Sequence, residues 1–485
     1  MNALAGLSPE ALWEHFLAVS RIPRGSGNEG AVVTYVATVA STAGLPFRID
    51  RAGNIIVKKR GARGPAGVAL QSHLDMVCEK REGSPHDFEK DPLVLVRDGP
   101  WIKARDTTLG ADNGIGVAAM LAIMTSNDIV HPDLELVFTV DEEAGLVGAQ
   151  SLERQDITSR TLINLDSEEE GTFCIGCAGG IHTELRLEPD FMSVPEDTSA
   201  VLVSVSGLTG GHSGVDIHLG RPNAIKLIGR FLHAVDSAYS IHLADLSGGT
   251  RHNVIPRDAR ALIHASPADI GALHNEAAHW NGILKTEYEH ADHRVALVLE
   301  ESSEQAARVL TPESTKTVIR LVQALPHGPL RFNPEWEGVV DTSTNLAVCR
   351  FDGDEFLVVT SQRSTTPSSL HDAASQVASI GELAGCTVSH LGAYPAWRPD
   401  RNSAILSTCR DVYREITGRE PNVKVIHAGL ECAVIGEKIK GLDMISLGPT
   451  IVGAHSPDER VHIESVARFW DFLLALLERL SAKAC

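Results

Sequence analysis

Ser72-His73-Leu74-Asp75 follows directly on the apolar run Val68-Ala69-Leu70. A histidine and a carboxylate two residues apart at a strand end can divide the work of a metal site, one binding the ion and the other orienting the binder. Three more segments end strand-like runs in a related way. Asp141-Glu142-Glu143 closes the run 134–140, Asp166 follows 161–165, and His455 lies in a loop a few residues after 444–447. Asp112 joins them from the start of the apolar segment 114–124. In open α/β sheets, sites form outside the carboxyl ends of the strands, which would gather these residues. Two divalent ions set against Asp112, Glu143, Asp166, neutral histidines and a bridging hydroxide leave a cluster near neutrality. Nitrogen and oxygen donors without cysteine suit Zn²⁺, with Co²⁺ or Mn²⁺ as alternatives. Adjacent carboxylates at 142 and 143 allow one to bind metal while its neighbour takes a proton from the attacking water.

Each residue also has an ordinary structural use. Asp112 and Asn113 are candidate helix caps. Glu142 and Glu143 fit an exposed turn. Asp166 opens the acidic run Asp166-Ser167-Glu168-Glu169-Glu170, the composition of a solvated loop. A lone His455 fits a surface or a core. What favours a metal site is the shared topology of these turns and the chemical completeness of the set.

A second group lies downstream. Gly210-Gly211-His212-Ser213-Gly214 surrounds an imidazole with glycines that let backbone approach closely. Asn253 sits in Gly248-Gly249-Thr250-Arg251-His252-Asn253, and Arg363 in Gln362-Arg363-Ser364. A guanidinium is suited to gripping a carboxylate through two hydrogen bonds, although local sequence alone favours a solvated charge for Arg363. Cys174-Ile175-Gly176-Cys177 has redox or zinc spacing, but no second such pair accompanies it, and buried thiols are expected.

The elements that must position these residues read as α/β in the first third: a helix over 11–19, strands over 54–57 and 68–71, a buried helix over 114–124, then strands over 134–140 and 161–165. From about residue 189 the pattern becomes α+β, with an alternating strand over 200–206, a helix over 223–235, and strands over 259–264, 294–299 and 356–360. After Tyr394-Pro395 it returns to α/β, with helices over 403–416 and 463–480 and strands over 423–426 and 444–447. The simplest organisation is a mainly parallel sheet flanked by helices, interrupted by an inserted α+β domain: 1–187 and 391–485 for the first, 188–390 for the insert. The 485 residues, 43% hydrophobic, suffice for two cores. A net charge of −20 argues against nucleic acid. The absence of a basic amphipathic stretch, a long apolar run or a signal-like N-terminus argues against a membrane and for the cytoplasm.

Ser72–Val77 (SHLDMV), 109–114 (LGADNG), 141–143 (DEE), 164–167 (NLDS), 210–214 (GGHSG) and 455–459 (HSPDE) together resemble the co-catalytic zinc peptidases, the family of aminoacyl-histidine dipeptidases, carnosinases and peptidase T-like tripeptidases. The likeness runs from about residue 5 to the C-terminus. The segments 455–459 and His427-Ala428-Gly429-Leu430-Glu431 favour its dipeptidase and tripeptidase branches. The resemblance implies a zinc-exopeptidase-like fold with the insert as a lid. It implies that His73, Asp112 and Asp166 hold one ion, and that Asp112, Glu143 and His455 hold the other. Asp75 would orient His73, Glu142 would be the general base, and His212 would polarise the scissile carbonyl. Asn253 and Arg363 would contact the substrate, and Gly429 and Glu431 would line its pocket. The implied activity is broad hydrolysis of unblocked dipeptides, Xaa-His included, by a metal-activated hydroxide in a homodimer. A tripeptide aminopeptidase or an N-acyl amino-acid deacylase on the same scaffold is the alternative, and a non-enzymatic metal-binding protein the remoter one. The glycine-rich Arg24-Gly25-Ser26-Gly27-Asn28 departs from the family pattern.

Overall fold

The computed structural model describes residues 3–61, 67–303 and 306–482. The chain divides into two compact units, Met1–Cys177 with Trp397–Val425 and Leu430–Cys485, and Ala178–Ala396 with Ile426–Gly429.

The first unit is built on an eight-stranded sheet in the order Phe47–Ile49, Ile55–Lys59, Leu134–Thr139, Val68–His73, Thr161–Asn164, Asp443–Ser446, Thr172–Cys177, Asn422–Ile426. Its four middle strands, from Leu134–Thr139 to Asp443–Ser446, are parallel. Phe47–Ile49 and Ile55–Lys59 run antiparallel to their neighbours, and Thr172–Cys177 to Asp443–Ser446, so the parallel character belongs to the centre. Val68–His73 and Leu134–Thr139 are buried at every position, as strands covered on both faces must be. Helix Ala111–Thr125 has no polar face and buries every residue from Asn113 to Met124. The closing helix Ile463–Ala482 is amphipathic and buries Val466, Phe469, Leu473, Leu476 and Leu477.

Two local expectations need correction. Asp112 and Asn113 do stand, with non-helical ψ of 112° and 30°, at a kink before the 114–124 helix, but neither side chain makes a capping bond: Asp112 faces His73 and His455, and Asn113 donates to Asp166. The strand expected over 356–360 runs Glu355–Ser364, because its partners Gly179–Leu187 and Val340–Asp352 continue the ladder past residue 360. Arg363 therefore lies inside a central strand, opposite Gly180 and Ser343.

The second unit carries a wholly antiparallel sheet: Ala296–Glu301, Ser199–Ser206, Ala259–Ala265, Ile241–Gly248, Val340–Asp352, Glu355–Ser364, Gly179–Leu187 and Thr387–Tyr394, with Gly328–Phe332 paired to Val340–Asp352. Helix Ala224–Asp236 covers one part of it, burying Ile225, Ile228, Phe231, Leu232 and Val235 at helical spacing. The Asn223 side chain accepts from the backbone N–H groups of Ile225 and Lys226, fixing the start of that helix.

In the first unit, Glu135 anchors the strand ends opposite the residues that carry chemistry. It is 5% exposed and accepts from the backbone N–H and hydroxyl of both Thr158 and Ser159, at 2.7–2.9 Å. Burial opposes its charge, but the bonds from Ser159 and Thr158 outweigh it and hold the carboxyl below its ordinary 4.5. A depressed folded-state pKa gives stability that is complete above the unfolded value and lost as pH falls through the folded one. Glu135→Gln is therefore expected to cost about 1–3 kcal/mol at neutral pH, and its gap from the parent chain to narrow once pH falls below 4.5. Urea unfolding across that range measures it; a gap that stays constant to pH 3 contradicts the assignment.

Candidate metal centre

Three parallel strands deliver their carboxyl ends to one place. Gln71, Asn164 and Ser446 stand opposite one another across Val68–His73, Thr161–Asn164 and Asp443–Ser446. Asn164 donates to Gln71 at 2.7 Å, and the Ser446 hydroxyl donates to Asn164. This buried polar row fixes the register of the strands directly beneath the residues with metal-ligating chemistry.

His73 ends its strand 1% exposed. Its Nδ1 lies 3.2 Å from Asp75 Oδ1, and its Nε2 lies 3.0 Å from Asp112 Oδ1 and 3.2 Å from Asp166 Oδ1. His455 Nε2 lies 3.2 Å from Asp112 Oδ2 and 3.1 Å from Glu143 Oε1. The two oxygens of Asp112 thus face two different histidines, and each histidine meets a second carboxylate. The sets His73, Asp112, Asp166 and Asp112, Glu143, His455 each bring their ligand atoms within 4.8 Å of one another, as do His73, Glu142 and Glu143. Ligands at 2.0–2.1 Å from a tetrahedral ion lie about 3.3 Å apart, close to the separations present. Glu143 Oε1 is buried and has no hydrogen-bond geometry to any donor, although the imidazole nitrogen is within reach. Imidazole nitrogens and carboxylate oxygens that converge in this way offer a donor set to a cation between them.

The electrostatics point the same way. Burial opposes a charge on His73, yet Asp166, Asp112 and Asp75 push its pKa well above the ordinary value. The carboxylates of Asp112 and Glu143 beside it push His455 to about 11. Burial works against Asp112, but His455 and His73 hold it far below the usual carboxylate range. Asp166 is raised to about 6 by burial, with His73 opposing. The site favours positive charge wherever the histidines can hold it. A divalent ion meets that demand and displaces the histidine protons.

Asp75 does more than face His73. Its two oxygens accept the backbone N–H groups of Glu142 and Glu143 at 3.0 and 3.1 Å, and Oδ2 also accepts from Ser26 at 2.8 Å. Burial opposes its charge, and these bonds with His73 bring it to about 2. One carboxylate thus fixes His73 and the turn carrying two more acids. Asp141 and His455 adopt φ values of +50° and +61°, left-handed conformations that cost roughly 1–2 kcal/mol outside glycine. Glu142 is raised well above the ordinary range by burial; His73 opposes this, while Asp166 and Glu143 add to it.

Glu431, expected to line a pocket, is fully buried. Its Oε2 accepts from Gln71 and, at 2.8 Å, from Thr139. Burial raises it to about 8. Asn113 donates to Asp166 Oδ1, and Glu29 Oε1 accepts the Asp141 N–H at 2.9 Å. The segment 24–29 therefore meets the centre through Ser26 and Glu29, contacts that the sequence reading missed. Cys174 and Cys177 are buried in the strand Thr172–Cys177.

The remaining candidates belong to the second unit. His212 Nδ1 accepts the N–H groups of Gly214 and Val215 at 3.2 and 3.0 Å, which leaves the ring proton on Nε2. Asn253 accepts the Ser213 N–H through its carbonyl at 2.8 Å. Arg363, 6% exposed, donates to the Tyr394 hydroxyl at 2.8 Å. His427 Nε2 lies 2.7 Å from Ser343 Oγ, and burial followed by the Arg363 charge lowers its pKa to about 3. Gly429 lies against Tyr394, whose ring a Cβ there would meet at 3.0 Å.

Residues 69–479 match peptidase family M20/M25/M40. The chain is 40% identical over 486 residues, the whole of both proteins, to the cytosol non-specific dipeptidase of Escherichia coli (strain K12). The crystal structure of aminoacylhistidine dipeptidase from Vibrio alginolyticus superposes with a TM-score of 0.87 at 40% identity, over 98% of this chain and 97% of that one. Aminopeptidase PepT from Bacillus cereus shares the fold, with a TM-score of 0.57 at 15% identity over 98% and 99% of the two chains. Among the described residues, no helix is long and apolar enough to cross a membrane.

The shared position of Asp112 makes a stoichiometric prediction. Asp112→Ala is expected to lose both ions and His455→Ala to retain one, by elemental analysis after gel filtration. Two tightly held ions in His455→Ala would contradict the second ligand set.

Proposed function

The chain belongs to peptidase family M20/M25/M40, and we propose that it is a cytoplasmic dipeptidase that uses two divalent ions to hydrolyse unblocked dipeptides of broad sequence, Xaa-His included. The observation that carries this reading is Asp112, whose two oxygens face His73 and His455. Its likeness along its full length to relatives named as dipeptidases supports the substrate class.

In this reading His73, Asp112 and Asp166 hold one ion, and Asp112, Glu143 and His455 the other. Zn²⁺ is the proposed metal because the donors are imidazole and carboxylate; Co²⁺ and Mn²⁺ accept the same set. When bound, the pair supplies electrophilic activation of the scissile carbonyl and acidifies the attacking water. Glu142 takes the proton of that water and returns it to the leaving amine. Its raised affinity for a proton suits a group that must accept one near neutral pH. Asp75 holds the 142–143 backbone at fixed distance from His73, so the base and the ligands move as one piece. His212, with its proton on Nε2, is in the tautomer that donates to a developing oxyanion. By the family resemblance His212 acts from the inserted domain as a lid. Arg363 and Asn253 take the substrate carboxylate and backbone, with Gly429 as a wall that admits close approach. Glu431 acts from below, through Gln71 and Thr139. A homodimer is proposed from the family resemblance, with sedimentation as its test.

Three measurements test the reading. Glu142→Gln is expected to keep both ions and lose about 10²–10⁴-fold in kcat; normal turnover in that fully metallated variant sinks the base assignment. His212→Ala is expected to keep both ions and lower kcat, and loss of metal would refute its place outside the ligand set. Across a panel, unblocked dipeptides should be cleaved faster than tripeptides and N-acyl amino acids, and the reverse order would favour the alternative activities.

A further inference from the structure

Arg24 is 1% exposed, with a guanidinium set among backbone carbonyls. Its Nη1 donates to the carbonyls of Leu74 and Asp75, both at 2.8 Å, and its Nη2 donates to the carbonyl of Gly110. Glu459 is 2% exposed and accepts four backbone N–H groups. Leu109 and Gly110 donate to Oε2 at 2.7 and 2.9 Å, and Ala111 and Asp112 to Oε1 at 2.8 and 3.3 Å. The short segment 109–112 is therefore held by a cation on a carbonyl and by an anion on its N–H groups. Asp112 is its last residue. The other ends of the two grips differ. Arg24 reaches the two residues that follow His73, and Glu459 stands four residues after His455.

Space for this arrangement is built in. A Cβ on Gly110 would meet Arg24 Nη2 at 2.5 Å, and one on Gly114 would meet the same atom at 2.8 Å. The two glycines of Leu109-Gly110-Ala111-Asp112-Asn113-Gly114 are thus the floor on which the guanidinium lies. The opposite charges of Arg24 and Glu459 also offset one another in a region without solvent.

We infer that Arg24 and Glu459 are positioning residues for the two ions, Arg24 setting Asp112 against His73 and Glu459 setting Asp112 against His455. The inference rests on the two-ion reading above and deepens it. Each grip acts through backbone on one half of the centre, so the two residues have separable effects. Partners behind metal ligands of this kind are worth about 10–100-fold in metal affinity.

The test is a Zn²⁺ titration of the chelator-stripped full chain against a chromophoric competitor, with near-UV circular dichroism to report folding. Glu459→Gln keeps one acceptor oxygen and turns the other into an NH2 that presents donors to the two N–H groups it faced. It is expected to weaken the ion held by Asp112, Glu143 and His455 about 10–100-fold and to leave the other within a few-fold. Arg24→Lys, which cannot span three carbonyls, is expected to weaken the ion held by His73, Asp112 and Asp166. The assignment of each step comes from combination. Glu459→Gln added to His455→Ala should leave the remaining ion unchanged, and Arg24→Lys added to His73→Ala likewise. Where Glu459→Gln does not fold, Glu459→Asp keeps the charge with a shorter reach and is expected to weaken the same ion. Folded variants that bind both ions as the parent chain does overturn the inference, even if their metal-free melting temperatures fall. A parent chain that takes up fewer than two ions overturns the centre itself, and is recognised before any variant is made.

Discussion

The constraint on which the first unit depends is the burial of negative charge. Asp75, Asp112, Glu142, Glu143, Asp166, Glu431 and Glu459 crowd the carboxyl ends of its parallel strands, with His73, His455 and Arg24 as the positive partners. Isolated buried carboxylates are untenable, so each must find neutralisation. The molecule uses three means. Asp75 and Glu459 are satisfied by backbone N–H groups. Glu431, raised to about 8, is suited to remain protonated near neutral pH. Asp112, Glu143 and Asp166 instead converge on imidazole nitrogens. The oxygens left without a local answer define where a cation belongs.

That constraint also explains the layering. The polar row of Gln71, Asn164 and Ser446 would be an odd choice in the middle of a buried sheet. It makes sense as a platform, since a hydrogen-bonded layer locks three strand ends in register and passes that rigidity to the residues two positions further on. Glu431 joins the row from the start of a separate helix, Glu431–Lys438, and ties Val68–His73 to Leu134–Thr139.

Much of this was legible in the sequence because strand ends and acidic turns coincide. His73, Glu143, Asp166 and His455 each end or follow an apolar run and Asp112 precedes one, so strand-end topology gathers them. The buried helix was legible from its uninterrupted apolar composition. What could not be read were interactions made by backbone. Nothing in the types of Arg24 or Glu459 announces that one takes carbonyls and the other N–H groups of the same segment, because those partners have no side-chain signature. The same holds for Asp112, whose resemblance to a helix cap is local, while its actual partners lie 39 and 343 residues away. Arg363 looked like a solvated charge because its neighbours in sequence are polar; its burial comes from two partner strands, Gly179–Leu187 and Val340–Asp352. In the second unit the chemistry has the opposite sign. His182 and His427 are held neutral, at about 4 and about 3, by burial, with His252 and then Arg363 adding to it at His182 and Arg363 at His427.

His73 and His455 differ in one further respect. The His73 side chain is 1% exposed and that of His455 is 54% exposed, on a loop with a left-handed turn at the histidine itself. Ligand exchange at a metal begins with the dissociation of one donor, and a donor that water can replace departs first. Of the two histidines that face Asp112, His455 is thus the one whose place water can take, while His73 is shut away from it.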